Sequence, residues 1–393
     1  MKILVINAGS SSLKFKLFEH KDEKVLASGQ FKNHAKDEYS IKYKVLNKEE
    51  RALKLNERDY KYAFDYIGNL LNEEGIITSE QQVTAIIHRI VHGGEEFIKP
   101  AELNDTNIKK IEVFNEFAPL HNPIALEKVN NSKKVFHKSK QFGVFDTSFH
   151  LTMEKEDFLY GLPYGYYENL GVRRFGFHGS SHEFITNELK KKKKKFKLVS
   201  CHLGSGSSVC AVKDGIAIDN SFGFSPEENL IMATRSGEID FDAVIFLKEK
   251  LMMNDKEITD TLNNDSGLLG ISGYTKDMKV LIDDYDKNPR AKLAVDMYVS
   301  KVVEFIAKFY VKLEGIDNLV FTGGIGQGSF VLRDLICKKL KIIGIEIDKK
   351  KNDGAFNVET RLDITDKKSK TKIEVIPTNE ELQMLRNVVA EYF

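Results

Sequence analysis

No apolar stretch in this chain of 393 residues approaches the length a bilayer-crossing helix needs, which excludes a helical membrane span and leaves no membrane partner to expect. An excess of charge of one sign is missing too. Lys and Arg total 59 against 58 Asp and Glu, so no global field recruits nucleic acid or an anionic surface, and any bound anion must be held locally. Cysteine is scarce: Cys201, Cys210 and Cys337 show no C-x-x-C spacing, which argues against a disulfide framework and a structural zinc. The opening "MKILVIN" enters a strand-like run at once, without an apolar h-region and cleavage site, so no secretory signal and a cytoplasmic protein are expected.

What is present is the composition of a globular protein, 41% hydrophobic and 30% charged. A chain this long exceeds one compact core on ordinary size scaling, so two domains are expected.

Ile3, Leu4, Val5 and Ile6 form a continuous apolar run, read as a strand covered on both faces. The Gly/Ser cluster of "INAGSSSLK" follows, and then Leu13, Phe15 and Leu17 alternate with polar residues. The same order recurs in "KLVSCHLGSGSSVCAVKDGIAID", where a shift of 195 positions carries Gly9, Ser10 and Ser12 onto Gly204, Ser205 and Ser207. Two such units point to a duplication, each copy opening an α/β domain. The chain is expected to cross between domains near Phe149, giving 1–149 and 150–378, with a C-terminal helix over 379–393 completing the first.

Helix signals lie between and after these units. Asn122 with Pro123, Ser180 with Glu183, and Thr378 with Glu381 have the spacing of caps or capping boxes. From Arg290 to Leu313 the residues Leu293, Met297, Val302, Phe305, Ile306 and Phe309 repeat at helical spacing, and Gly315 supplies a stop. "DNLVFTGGIGQGS" reads as a buried strand, a glycine loop and another helix. The lysine run 190–195 has no interleaved aromatics and reads as a solvated helix end.

Three glycine turns after apolar strands, "NAGSSS", "HLGSGSS" and "TGGIGQGS", expose backbone N–H groups that suit phosphate oxygens. None is a Walker loop, because Ser329 and Phe330 stand where Lys and Ser/Thr belong. His88 with His92, and His178 with His182, have zinc-ligand spacing but lack the glutamate of H-E-x-x-H. Arginine accompanies these segments: Arg89, Arg173, Arg174 and, in "ATRSGEID", Arg235. One such arginine would be read as the partner of a structural carboxylate such as Glu95 or Asp240; the set suits an anionic substrate or a transferring phosphoryl group.

The blocks "VINAGSSSLKF", "HRIVHGGE", "APLHNP", "FDTSFH", "GVRRFGFHGSSH", "GFSPEENLIMATRSGEID", "FTGGIG" and "PTNEEL" together resemble the ordered signatures of the acetate kinase family along the whole chain. The resemblance implies two duplicated actin-like (ribonuclease H-like) α/β domains with an interdomain cleft. The implied reaction is Mg²⁺-dependent, with Mn²⁺ as a substitute, and transfers the γ-phosphoryl group of ATP reversibly to acetate, giving acetyl phosphate and ADP. A homodimer is implied as well.

Carried over by position, Arg89 and Arg235 hold substrate carboxylate and phosphoryl oxygens, His178 steadies the transition state, and Asp146 orients Arg89 or a metal-bound water. Val91, Leu120, Phe177 and Pro226 match the pocket for the acetate methyl, and one methylene is worth only ~1–3 kcal/mol, so propionate or butyrate is the alternative acceptor. Asn7 and Glu380 match the magnesium positions. Ser10 and Ser12 point to phosphoryl oxygens and Lys14 to the nucleotide phosphates. The nucleotide side continues through His202, Leu203, Gly204, Ser205 and Gly206, then Asp277, Met278 and Lys279, then Gly324, Ile325, Gly326, Gln327 and Gly328.

Departures from the family pattern gather there. Ser205 stands for Asn, Lys279 for Arg, and Gln327 with Gly328 for Glu-Asn, so pyrophosphate is the alternative phosphoryl donor. An actin-like nucleotide-binding scaffold is the alternative of another class.

Overall fold

Ile3, Leu4, Val5 and Ile6 lie on strand β1 (Lys2–Ala8), and all are buried. Side chains alternate faces along a strand, so one run serves two cores. Leu4 and Ile6 join Phe15, Phe31 and Ile67, while Ile3 and Val5 join Phe142, Met384 and Leu385. The computed structural model describes residues 1–9, 12–34, 38–227 and 229–393; the sequence-predicted site residue Ser10 lies outside them.

The chain forms two compact units, residues 1–148 with 379–393, and residues 149–378. The first is built on a sheet of β1, β2 (Ser12–Glu19), β3 (Lys24–His34), β4 (Glu38–Val45), β5 (Arg51–Leu55), β6 (Val83–Ile90), β7 (Ala101–Glu102) and β8 (Lys140–Phe145), in the order β5-β4-β3-β2-β1-β6-β8-β7. β1 to β5 run antiparallel in succession, whereas β6 is parallel to β1 and β8 parallel to β6. Helix Glu380–Tyr392 packs Met384, Leu385 and Val388 under β1 and β6.

The second unit repeats the plan with β9 (Lys197–Leu203), β10 (Ser207–Lys213), β11 (Ile216–Asn220), β12 (Asn318–Thr322), β13 (Leu362–Asp363) and β14 (Lys372–Val375), ordered β11-β10-β9-β12-β14-β13. Here too a first strand has its hairpin partner on one side and parallel strands on the other. The copies differ at the turn: Ala8 pairs with Leu13, but Leu203 pairs with Ser207, one residue tighter.

Helix starts differ from the sequence reading in instructive ways. Asn122 does not cap helix Asn122–Val135; its buried amide accepts from the backbone N of His92 (3.0 Å) and donates to its carbonyl (2.9 Å). Ser180 does not cap helix Gly179–Lys190, because His178 holds the cap position with φ +57° and forms no side-chain cap bond. Asn379, not Thr378, caps the last helix by accepting from Leu382 N. Thr378 instead accepts from the Ser181 hydroxyl at 2.9 Å.

Helix Pro289–Lys312, capped by Asn288, buries Ala294, Val295, Tyr298 and Val302. Leu293 and Met297, expected on its core face, are 51% and 39% exposed, because the buried face runs through Ala294, Val295, Tyr298 and Val302 instead. "GGIGQG" is not a loop but a helical turn, Gly323–Gly328, leading directly into helix Phe330–Leu340 through the cap Ser329.

Candidate active site

In the first unit the chemistry gathers at the carboxyl ends of three adjacent parallel strands, the usual location of ligand sites in α/β sheets. Asn7 is next to last in β1, Arg89 is next to last in β6, and Asp146 follows β8. Arg89 Nε donates to both carboxylate oxygens of Asp146 at 3.0 Å, and Nη2 reaches Oδ2 at 2.5 Å. Its Nη1 donates to Asn7 Oδ1 at 3.1 Å. Burial opposes the charge on Arg89, but the carboxylates of Asp146, Glu380 and Glu381 outweigh it and hold the guanidinium more firmly protonated than usual.

The other end of the Asn7 amide donates to Glu380 Oε2 (2.9 Å) and Glu381 Oε1 (3.3 Å). Sequence reasoning missed Glu381, which is buried and paired with Lys16 at 3.0 Å. Burial pushes its carboxyl up, and the Lys16 ammonium more than reverses this, so it stays ionised below its ordinary range. The adjacent acidic pair at a helix start was the available signal, because such residues complement the helix dipole anyway and hide a second role.

Val91 is buried and Leu120 is 42% exposed. Ser12 begins β2 and, with Gly9, edges a cavity of about 160 Å³. Lys14 lies exposed on the same strand.

His88 and His92 do not share a face as helical residues would. His88 lies on β6 with Nε2 2.8 Å from Gln141 Oε1, and burial pushes its pKa down to about 4. His92 lies beyond the strand, stacked on Phe114. Among the described residues, no three His, Cys, Asp or Glu side chains form a metal-holding group.

In the second unit, Gly206 is the point of convergence. A Cβ placed there would lie 3.3 Å from His178 Nε2, a tight contact, and 3.6 Å from Arg235 Nη1, an ordinary one, so glycine leaves the space between these groups uncrowded. Arg235 Nη1 donates to the Pro226 carbonyl at 3.1 Å, which makes Pro226 a backbone contributor in this unit. The Ala233 N–H donates to the Ser205 carbonyl at 3.2 Å, tying the glycine turn to the arginine segment.

His178 is set by its left-handed backbone, which a non-glycine residue adopts only under constraint. Its ring lies 4.4 Å from that of His202 and edge-on to Phe222. Nδ1 lies 2.9 Å from Ser208 Oγ, which is 2.7 Å from His182 Nε2, and His182 Nδ1 is 3.0 Å from Ser200 Oγ. Burial holds His182 neutral, far below its ordinary pKa. Phe177 is buried, and its carbonyl lies 3.0 Å from His150 Nε2.

Arg173 and Arg174 take structural places. Arg173 is buried with its guanidinium 3.5 Å over the Phe158 ring, and Arg174 pairs with Asp219 at 3.1 Å. Asp240, considered as an arginine partner, caps helix Phe241–Lys250 instead.

Two glycine segments of the second unit meet. A Cβ on Gly323, whose φ is +78°, would sit 2.6 Å from the Leu203 carbonyl oxygen, and one on Gly204 would lie 3.9 Å from Gly324 N. Beside them is a cavity of about 590 Å³ lined by Asp277, Met278, Lys279, Gly324, Ile325 and Gly328. Asp277 caps helix Met278–Asp283 by accepting from Lys279 N at 2.8 Å. Gly326 is buried against β9, and Gln327 turns its amide to the Val358 carbonyl, so neither lines the cavity. Phe330, Phe356 and Asn357, which sequence reasoning missed, do.

A repeated sheet plan with glycine turns at the carboxyl ends of central strands, one beside a partly buried arginine and one beside a nucleoside-sized cavity, defines a duplicated actin-like fold of the phosphotransferase class. The Acetokinase family pattern matches residues 2–386. The chain is similar to acetate kinases of Treponema denticola (39% identical, covering 99% of each chain) and Clostridium acetobutylicum (40%, covering 98% of each). Among solved structures it superposes on Porphyromonas gingivalis acetate kinase (34% identical, 99% of each chain, TM-score 0.88) and a Francisella tularensis propionate kinase (36%, 98% of each, TM-score 0.91). The chain belongs to the acetokinase family and is a phosphotransferase.

Proposed function

We propose that the chain is an ATP-dependent acetate kinase, transferring the γ-phosphoryl group reversibly to acetate to give acetyl phosphate and ADP. The observation that carries this reading is Gly206, where His178 Nε2 and Arg235 Nη1 flank a space that a glycine leaves uncrowded. Such donors stabilise charge spread over the equatorial oxygens of a transferring phosphoryl group.

Acetate is already ionised near neutral pH, so its oxygen attacks without a general base. Arg89 takes the anionic oxygens through the guanidinium edge that Asp146 does not occupy, and Asp146 acts as its positioning residue. Val91, Leu120, Phe177 and Pro226 are assigned to the acyl group. Ser12, Lys14 and the turn from His202 to Gly206 serve phosphate oxygens.

Glu380 and Asn7 offer hard oxygens of the kind Mg²⁺ takes, and a Mg²⁺ held by few protein groups keeps water and phosphate oxygens as its other ligands. When bound, that ion would neutralise charge on the phosphates; Asn7 orients the Glu380 carboxylate by its 2.9 Å bond. Mn²⁺ is expected to substitute.

The cavity of about 590 Å³ supports a nucleotide over pyrophosphate as donor, because pyrophosphate has nothing to fill it. Exposed Phe241, Phe246 and Leu251 support the homodimer. No helix among the described residues is long and apolar enough to cross a membrane, and a cytoplasmic location is part of the same reading.

Purified protein with acetate, Mg-ATP and hydroxylamine should form acyl hydroxamate. No hydroxamate, with acetate-independent ATP hydrolysis and polymer formation, would identify a scaffold instead. A matrix of acetate, propionate and butyrate against ATP, GTP and pyrophosphate fixes acceptor and donor.

A further inference from the structure

The nucleotide-sized cavity has one wall that no sequence motif announced. Arg333 is fully buried and pairs with no carboxylate among the described residues. Its guanidinium donates to the carbonyls of Gly326 (2.7 Å), Gln327 (3.1 Å) and Ala355 (2.7 Å), and to Asn352 Oδ1 (2.9 Å). Burying a cation without a counter-ion is costly unless its donors are satisfied, and carbonyls from two separate segments satisfy these. Arg333 therefore joins the turn Gly323–Gly328 to the segment that follows Asn352.

Gln327 adds a second link. Its Nε2 donates to the Val358 carbonyl at 3.1 Å, and Val358 N returns a bond to the Gln327 carbonyl at 3.4 Å. Between these anchors, Phe356 stands edge-on to Phe330 with centroids 4.8 Å apart, although its side chain is 62% exposed. Asn357 takes φ +42°, a left-handed conformation asparagine tolerates better than most residues.

Gly328 leaves room beside the Asn357 amide: a Cβ there would lie 3.3 Å from Asn357 Oδ1, a tight contact. Any longer side chain at 328, such as the Asn of the family pattern, would compete for the space of that amide.

We infer that Asn357, seated over Gly328 on a segment that Gln327 and Arg333 hold in place, reads the Hoogsteen edge of the nucleotide base and so favours adenine over guanine. The inference rests on the proposed reading of the cavity as a nucleotide site. A carboxamide offers a donor and an acceptor side by side, which matches N7 and the N6 amino group on the Hoogsteen edge of adenine. Guanine presents two acceptors on that edge, leaving Asn357 Oδ1 facing an oxygen or nitrogen lone pair.

The test is kcat/KM for Mg-ATP and Mg-GTP in the full-length enzyme and in Asn357→Ala and Gly328→Ala, with KM for acetate measured alongside and circular dichroism of each variant. In Asn357→Ala the ATP-to-GTP ratio should fall roughly tenfold while KM for acetate stays put. Gly328→Ala, which crowds the amide without removing it, should lower the same ratio and keeps the question answerable should the first variant misfold. An unchanged ratio in both folded variants, with ATP still used, overturns the role of Asn357 alone. An unmodified enzyme that runs on pyrophosphate and ignores both nucleotides overturns the nucleotide reading together with this inference.

Discussion

Arg89 and Asp146, 57 positions apart in the chain, share a bidentate ion pair because β6 and β8 are parallel neighbours in register. Asp146 N donates to the Ile90 carbonyl at 2.9 Å, continuing the ladder one step past the strand and bringing the carboxylate level with the guanidinium. Removing one partner of a buried pair leaves the other uncompensated, at about 3–5 kcal/mol. Arg89→Ala should therefore lower both the melting temperature and kcat, the latter by orders of magnitude. Arg89→Lys should recover stability more than turnover, because an ammonium has no planar fork. Near-normal turnover in Arg89→Ala would remove it from the catalytic set.

Gly206→Ala should act almost wholly on turnover. The new methyl would sit 3.3 Å from His178 Nε2, in the space assigned to the phosphoryl group, whereas the fold loses no contact. Steady-state kinetics should show kcat down at least tenfold with an unchanged denaturation midpoint, on the general scale of a misplacement of about 1 Å. Wild-type kcat would mean that the phosphoryl group passes elsewhere. Arg235→Ala should match Gly206→Ala in direction.

Ser208 is a positioning residue for His178. Its hydroxyl lies between His178 Nδ1 at 2.9 Å and His182 Nε2 at 2.7 Å, so it governs which ring nitrogen of His178 carries a proton. In Ser208→Ala, kcat should fall while KM for ATP and acetate hold, and ¹⁵N spectra should show a changed tautomer balance at His178. Unmoved nitrogen shifts would leave Ser208 a packing residue only.

Acid should unfold the protein before its carboxylates titrate. Burial holds His88 and His150 neutral, each with a pKa pushed down to about 4, while in the unfolded chain they bind protons below about 6.5. The unfolded state then carries more protons as pH falls from about 6.5 to about 4, so stability is complete above that window and declines through it. Urea midpoints measured across pH 4–7 should drop steadily on the acid side, and His88→Gln should flatten the slope. A flat profile would contradict this assignment.

Elements set by local pattern were legible in the sequence. β1 and the strand paired to it across the Gly/Ser turn follow from unbroken and alternating apolar runs, and the helix Pro289–Lys312 from its period. The duplication showed in the repeated Gly/Ser turn, though not its tighter register at Leu203 and Ser207. Two capping residues were misassigned because tertiary partners claimed the side chain, as His92 does with Asn122 and Ser181 with Thr378. Arg173 and Arg333 look alike as letters; only packing puts one over a ring and the other among carbonyls.

By itself the sequence determined the strand order of each hairpin, the family, and the residue types its chemistry needs, because these rest on periodicity and ordered motifs. Tertiary structure alone decided which of those residues meet. Parallel register joined Arg89 to Asp146, the fold set His178 and Arg235 on either side of Gly206, and buried Arg333 carried a distant segment to the cavity wall. The physical reason is that short-range pattern fixes backbone conformation, whereas contacts between residues far apart in the chain depend on how sheets and helices close around a core.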